Sequence, residues 1–177
     1  IGLPESEHGR VAQLLKPKTA ARFPHNNEAT RAAFLTPWAA ANRGATEWRL
    51  AEIPSANGHG TAAALARLYS AYALKGRIGE TRVIAPVMWD ELTRARVSGE
   101  DRVLPGTVAF GAGVMRNLPL IYGPNPSTLC HSGWGGSGAF GDPDTGLSGG
   151  YIMNRQGTHL LEDDRRSRLI DALYRCL

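Results

Sequence analysis

Apolar residues along this chain fall into three regimes. Residues 1–56 keep no sustained period, because Pro4, Pro17, Pro24, Pro37 and Pro54 interrupt every possible long helix. Short helices are predicted over Glu5–Leu15 and Glu28–Leu35, and the small-residue stretch from Thr36-Pro37-Trp38 to Trp48 is anchored to a core by its aromatics. Residues 57–76 are regular. Asn57-Gly58-His59-Gly60 predicts a tight loop, and Thr61 is a good N-cap for a helix. Leu65, Leu68, Tyr69 and Tyr72 then recur at i, i+3, i+4 and i+7, a single helical stripe that Gly76 stops. Pro86 opens a second short helix carrying Val87, Met88 and Leu92.

Beyond residue 107 the period shortens. Val108–Gly111, Leu129–Ser132 and Leu147–Asn154 read as strands. The last two are separated by a glycine-rich stretch with the turn signal Asp142-Pro143-Asp144, which predicts a hairpin. The chain closes with an amphipathic helix. Its apolar stripe is Leu169, Ile170, Leu173, Tyr174 and Leu177, and Arg166, Arg168, Asp171 and Arg175 form its solvated face. The implied class is α+β, an antiparallel sheet with the last helix across one face. One domain fills 1–177, with a mostly helical or irregular part over 1–106 and the sheet hairpin and final helix over 107–177.

Composition narrows the function. At 177 residues, 42% hydrophobic and 20% charged, the chain can bury a sizeable core and is neither disordered nor membrane-spanning. All but Lys16, Lys18 and Lys75 of its 20 basic residues are arginine. Apart from Arg165, Arg166 and Arg168 they are dispersed, which argues against a nucleic-acid stripe despite the net charge of +4. Cys130 and Cys176 form no CxxC, and His8, His25, His59, His131 and His159 show no metal-ligand spacing. Cys130 and His131 are adjacent, but neighbours on a strand face opposite ways, so they do not make a dyad. The chain begins at Ile1 without a signal-peptide pattern. A processed product or part of a larger, cytoplasmic protein is the expectation.

Chemistry concentrates in His131-Ser132-Gly133-Trp134-Gly135-Gly136-Ser137-Gly138. Here a strand can place an imidazole and a hydroxyl beside bare backbone, whose N–H groups can serve a developing oxyanion. Ser137 is a turn serine, because Ala139 stands where a Gly-x-Ser-x-Gly nucleophile needs glycine.

HSGWGG resembles the third motif of the serine β-lactamase and penicillin-binding-protein family, Lys-Thr-Gly in most members and His-x-Gly or Trp-Gly-Gly in some. HSGWGGSGAFGDPDTGLSGGYIMNR resembles the sheet hairpin of class C β-lactamase-like, family VIII esterases. RRSRLIDALYRCL resembles their C-terminal helix, and PSANGHGTAAALARLYSAYA the turn and helix after their second motif. Two signatures are missing. No serine stands three residues before any lysine, and no tyrosine is followed two residues later by Asn or Ser.

The resemblance therefore implies the C-terminal portion of a β-lactamase/transpeptidase-like fold. Its nucleophile, lysine and tyrosine would lie on a second chain or segment. The implied reaction is acyl transfer to serine and hydrolysis of a small ester, or of a β-lactam or D-amino-acid amide. His131 and the backbone N–H of Trp134, as oxyanion donor, are the catalytic candidates; Asn57, Ser132, Gly133 and Gly135 are the substrate-binding ones. Neither metal nor organic cofactor is implied. The competing readings are a non-catalytic protein of the same fold and a basic interaction domain.

Overall fold

The computed structural model describes residues 1–19, 23, 27–35 and 45–177. The aromatic anchor Trp38 and the prolines Pro24 and Pro37 lie outside the described residues. A 3-10 helix, Glu5–Arg10, stands where a longer helix is predicted. Helix α1, Glu28–Phe34, starts as expected, with the Asn27 side chain accepting from the Thr30 amide. Helix α2 spans Thr46–Leu50 and α3 spans Ala62–Ala73, capped by the Thr61 hydroxyl, which accepts from the Ala64 amide. A two-residue ladder follows, β1 (Arg77–Ile78) with β2 (Thr81–Arg82), and then α4, Pro86–Thr93, with its proline in the first turn.

The remaining strands form one antiparallel meander in chain order: β3 (Val97–Glu100), β4 (Thr107–Phe110), β5 (Met115–Arg116), β6 (Leu129–Ser132), β7 (Gly138–Asp142) and β8 (Leu147–Tyr151). Helix α5, Asp164–Tyr174, closes the chain. The architecture is the expected α+β arrangement, an antiparallel sheet flanked by helices.

Two details correct the sequence reading. The sheet begins at Val97, inside the part expected to be helical or irregular. The hairpin expected between Leu129–Ser132 and Leu147–Asn154 is a three-stranded meander, because Gly138–Asp142 is itself a strand between them.

Register assigns the faces. Cys130 lies opposite Phe140, which lies opposite Gly149, while His131, Ala139 and Gly150 align on the other face. The first set builds the core, where Val108, Met115, Tyr122, Cys130 and Phe140 pack with Leu161 and Ile170 from the region of α5. Helix α3 covers the other face over β7 and β8. It approaches so closely that a Cβ at Gly141 would press on the Tyr69 carbonyl and lie 2.8 Å from the Ala73 amide nitrogen. At Gly150 a Cβ would sit 2.6 Å from the Ala62 carbonyl oxygen. Backbone cannot rotate aside as a side chain can, so glycine in β7 and β8 is what lets the helix seat. Three members of the predicted stripe turn toward the sheet: Leu65 meets Gly150, Tyr72 meets Gly141, and Tyr69 is half-buried. Leu68 is exposed, and Ala71 and Ala73, outside the stripe, are fully buried, because small residues let the backbones approach.

The C-terminal helix departs from expectation on both faces. Ile170 is buried as predicted, and Leu169, Leu173 and Leu177 are exposed. Arg166, assigned to the solvated face, is 1% exposed and among the most buried large side chains. Spacing accounts for this, since Arg166, Ile170 and Tyr174 are four apart and share one side of the helix.

Candidate active site

Strand β6 is buried at every residue but one. Leu129, Cys130 and Ser132 are buried, and His131 is exposed. The imidazole lies beside Phe110, with ring centroids 6.2 Å apart. Its Nδ1 is 2.9 Å from the Ser132 carbonyl oxygen. A carbonyl only accepts, so Nδ1 carries the proton; in the neutral ring Nε2 is then the unprotonated nitrogen and a hydrogen-bond acceptor. The strand thus fixes both the position of this imidazole and the chemical sense of its outer edge.

The chain turns immediately after. Gly133 N–H donates to the Ser137 carbonyl at 2.7 Å, and Gly136 N–H to the Gly133 carbonyl at 3.1 Å. Gly135 donates to the His159 carbonyl at 3.2 Å and accepts from the Gly157 amide at 2.7 Å. At the tip the Trp134 ring packs edge-on against Phe23 and Phe34, at centroid distances of 5.5 and 5.6 Å. Those two phenyl rings stack on each other at 5.5 Å. A half-buried cluster of three aromatic rings therefore stands at the turn. It is suited to contact an apolar group of a ligand.

The other sequence candidates point elsewhere. Ser132 is turned inward, its hydroxyl 2.9 Å from the Tyr122 hydroxyl, so it does not line an open cleft with its side chain. Gly135 is buried, and its absent Cβ points at the Gln156 side chain, 3.0 Å away, rather than into solvent; its φ of +95° is the reason it is glycine. Gly133 is half-buried, and a Cβ there would strike the Ser137 hydroxyl, so it serves closure of the turn. Asn57 lies outside the site. Its side chain is fully buried and spends its hydrogen bonds on the Trp48 carbonyl (2.8 Å), the Ala51 carbonyl (2.5 Å) and the Ile53 amide (3.1 Å). Neighbouring His59 packs edge-on against Trp48, and burial lowers its pKa, keeping it neutral. The expectation that Asn57 lines the cleft is corrected: it ties one loop to α2.

Three residues that sequence reasoning passed over surround the turn. Tyr122 donates its hydroxyl proton to the His131 carbonyl at 2.8 Å. Burial holds its phenol pKa well above the ordinary value, against the opposing charge of Arg166, so it remains a donor. Arg165 donates to the Gly135 carbonyl at 3.1 Å and is held by Asp163, whose carboxylate those same hydrogen bonds keep below the usual range. Arg166 donates to the Ser137 carbonyl at 3.2 Å. Only Arg166 left a signal in the sequence, its position on the buried side of α5.

Comparison with known proteins fits this geometry. The family model described as Beta-lactamase matches residues 1–173. Among solved structures, a penicillin-binding protein homologue from Caulobacter crescentus is 50% identical with a TM-score of 0.92, covering 100% of this chain and 48% of its own. A family VIII carboxylesterase is 39% identical with a TM-score of 0.85, covering 100% of this chain and 46% of its own. EstA from Arthrobacter nitroguajacolicus Rue61a is 27% identical with a TM-score of 0.74, covering 98% and 48%. The esterase/beta-lactamase LipL of Mycobacterium tuberculosis is 37% identical over 115 residues, which is 64% of this chain and 26% of that protein. The chain thus spans about half the length of these solved relatives and about a quarter of LipL.

Proposed function

This chain belongs to the beta-lactamase family, and we propose that it supplies one wall of an acyl-transfer site in a serine hydrolase of the carboxylesterase type. The nucleophilic serine, its lysine and the motif tyrosine come from a segment outside these 177 residues. Two facts support that division. The sequence carries neither Ser-x-x-Lys nor the tyrosine motif, and the solved relatives are about twice its length.

In the proposed reaction the serine oxygen attacks an ester carbonyl and the carbonyl oxygen gains negative charge. The alcohol then leaves with a proton, and water hydrolyses the acyl-enzyme. The Trp134 amide is the oxyanion donor by its place directly after His-x-Gly, paired with the amide of the nucleophile itself. His131, through Nε2, orients the leaving group or the tyrosine that moves its proton. The Trp134, Phe23 and Phe34 rings receive the apolar part of the substrate. A small ester fits this wall better than a β-lactam. Lysine offers a carboxylate a permanent charge, whereas a histidine whose Nδ1 is spent on a carbonyl offers Nε2 as an acceptor.

One observation carries the reading: the exposed residue of β6 is a histidine held in a single orientation, leading directly into a glycine turn whose Trp134 carries an aromatic cluster. Steady-state hydrolysis of p-nitrophenyl esters by the complete enzyme tests it. His131→Ala should lower kcat/KM at least tenfold, a loss of ~1.4 kcal/mol in transition-state stabilisation, with unchanged folding. Equal kcat/KM in a well-folded variant rejects the role.

A further inference from the structure

We infer that Tyr122 and Arg166 are positioning residues that clamp the turn Gly133–Ser137 from its two sides and so hold the Trp134 amide for the oxyanion. The inference rests on the acyl-transfer reading above. The turn closes on itself through the Gly133 and Gly136 amides, but with Gly135 at φ +95° and Gly136 at φ +117° its tip is permissive backbone that internal bonds alone do not fix. An oxyanion donor works only if it is fixed before charge develops. The stiffness must therefore come from what the turn is tied to.

Tyr122 ties the incoming side. Its single hydroxyl proton goes to the His131 carbonyl, and its oxygen accepts from the Ser132 hydroxyl, which fixes the two residues that lead into the turn. Arg166 ties the outgoing side. It donates to the Ser137 carbonyl at 3.2 Å, reaches toward the Gly136 carbonyl at 3.5 Å, and is anchored by the Leu161 carbonyl at 2.5 Å. The two clamps also hold each other, since the Arg166 guanidinium lies 4.5 Å above the centroid of the Tyr122 ring.

Arg166 has no carboxylate partner within ion-pair distance among the described residues, and its buried Nε has no hydrogen-bond partner. A buried guanidinium with no direct ion pair, its neighbouring carboxylate Asp163 being bonded to Arg165, is costly, and an apolar residue of similar size would pack there at less expense. What the arginine adds, and an apolar residue lacks, is a set of donors reaching backbone carbonyls of this turn. Tyr122 lies in a loop remote in sequence, and both residues press on the first residue of β7: a Cβ at Gly138 would strike the Tyr122 hydroxyl and sit 2.9 Å from an Arg166 nitrogen. The pair therefore meets the strand exactly where the turn rejoins the sheet.

The test uses the complete enzyme with Tyr122→Phe, Arg166→Met and Arg166→Lys. Rates are expressed per active site titrated with a fluorophosphonate. Tyr122→Phe and Arg166→Met should each lower kcat ~10- to 100-fold, short of the 10²–10³ lost when an oxyanion donor is removed outright. KM should stay within about threefold, and affinity for a boronic acid, a tetrahedral oxyanion mimic, should fall in step with kcat/KM. Arg166→Lys should lie between wild type and Arg166→Met. Amide exchange across residues 133–137 should quicken in the same order. Unchanged kcat per titrated site, with only lower stability, overturns the inference, as does a rise in KM at constant kcat or unaltered exchange in the turn. If the wild-type enzyme neither turns over esters nor binds the boronate, the acyl-transfer reading fails and the positioning role falls with it. Exchange data would then still report whether the clamp on the turn exists.

Discussion

Replacing Asn57 with alanine separates the two roles that its loop offers. The side chain is 0% exposed and makes three hydrogen bonds, to the Trp48 and Ala51 carbonyls and from the Ile53 amide. At a net of ~1 kcal/mol for each bond, truncation costs roughly 3 kcal/mol, with a further penalty for the Trp48 carbonyl left buried without its donor. Against a total of about 5–15 kcal/mol for a typical domain, this is a large loss. Denaturant unfolding of the complete protein should show a lower midpoint at an unchanged slope. Turnover per titrated active site should remain that of wild type. Asn57→Asp should be worse than alanine, because it sets carboxylate oxygens against two carbonyl oxygens. A midpoint equal to wild type together with a tenfold lower kcat/KM would refute the reasoning and return Asn57 to the cleft.

Gly135→Val should lose roughly 2–4 kcal/mol of stability, summing left-handed strain and crowding against Gln156, and should slow fluorophosphonate labelling; normal labelling at wild-type stability would contradict the turn geometry. Acid stability depends on Asp142: burial pushes its carboxyl up, but hydrogen bonds from Tyr174, Asn125, the Asp144 amide and Thr145 outweigh that and hold it below the usual range. A depressed folded value adds stability above the unfolded pKa of roughly 4 and loses it as pH falls through the folded value. Asp142→Asn should therefore be less stable than wild type at pH 7, with the gap narrowing as pH falls below roughly 4; a gap of constant size down through the acid transition would contradict this. Burial raises the Cys130 thiol to about 12, so iodoacetamide at pH 8 should modify exposed Cys176 and spare Cys130 until the protein unfolds. Alkylation of Cys130 in the native protein would contradict its place in the core.

What the sequence disclosed depended on whether a residue's role was local. Strand β6 was legible to the residue, and so was the Thr61 cap, because a short strand run and a cap are each set within a few positions. Strand β7 was not. Gly138-Ala139-Phe140-Gly141-Asp142 reads as turn chain, and its glycines make sense only once α3 is laid on Gly141 and Tyr122 and Arg166 on Gly138. Arg166 was misread because charge suggested solvent, although its spacing from Ile170 placed it inside. In the site, His131 showed through the His-Ser-Gly that ends the strand, and Trp134 through its place directly after it. Tyr122 left no trace in the sequence, since its contacts with residues 131–132 are purely tertiary.

Mass mapping of the covalent adduct tests most directly whether this chain is a wall of a serine-hydrolase site whose nucleophile lies elsewhere. The complete enzyme is inactivated with a fluorophosphonate, digested, and the modified residue located. The adduct should fall on the serine of a Ser-x-x-Lys outside these 177 residues, and His131→Ala should form it more slowly. An adduct on Ser132 or Ser137, or no serine adduct in an enzyme that still hydrolyses esters, would contradict the account.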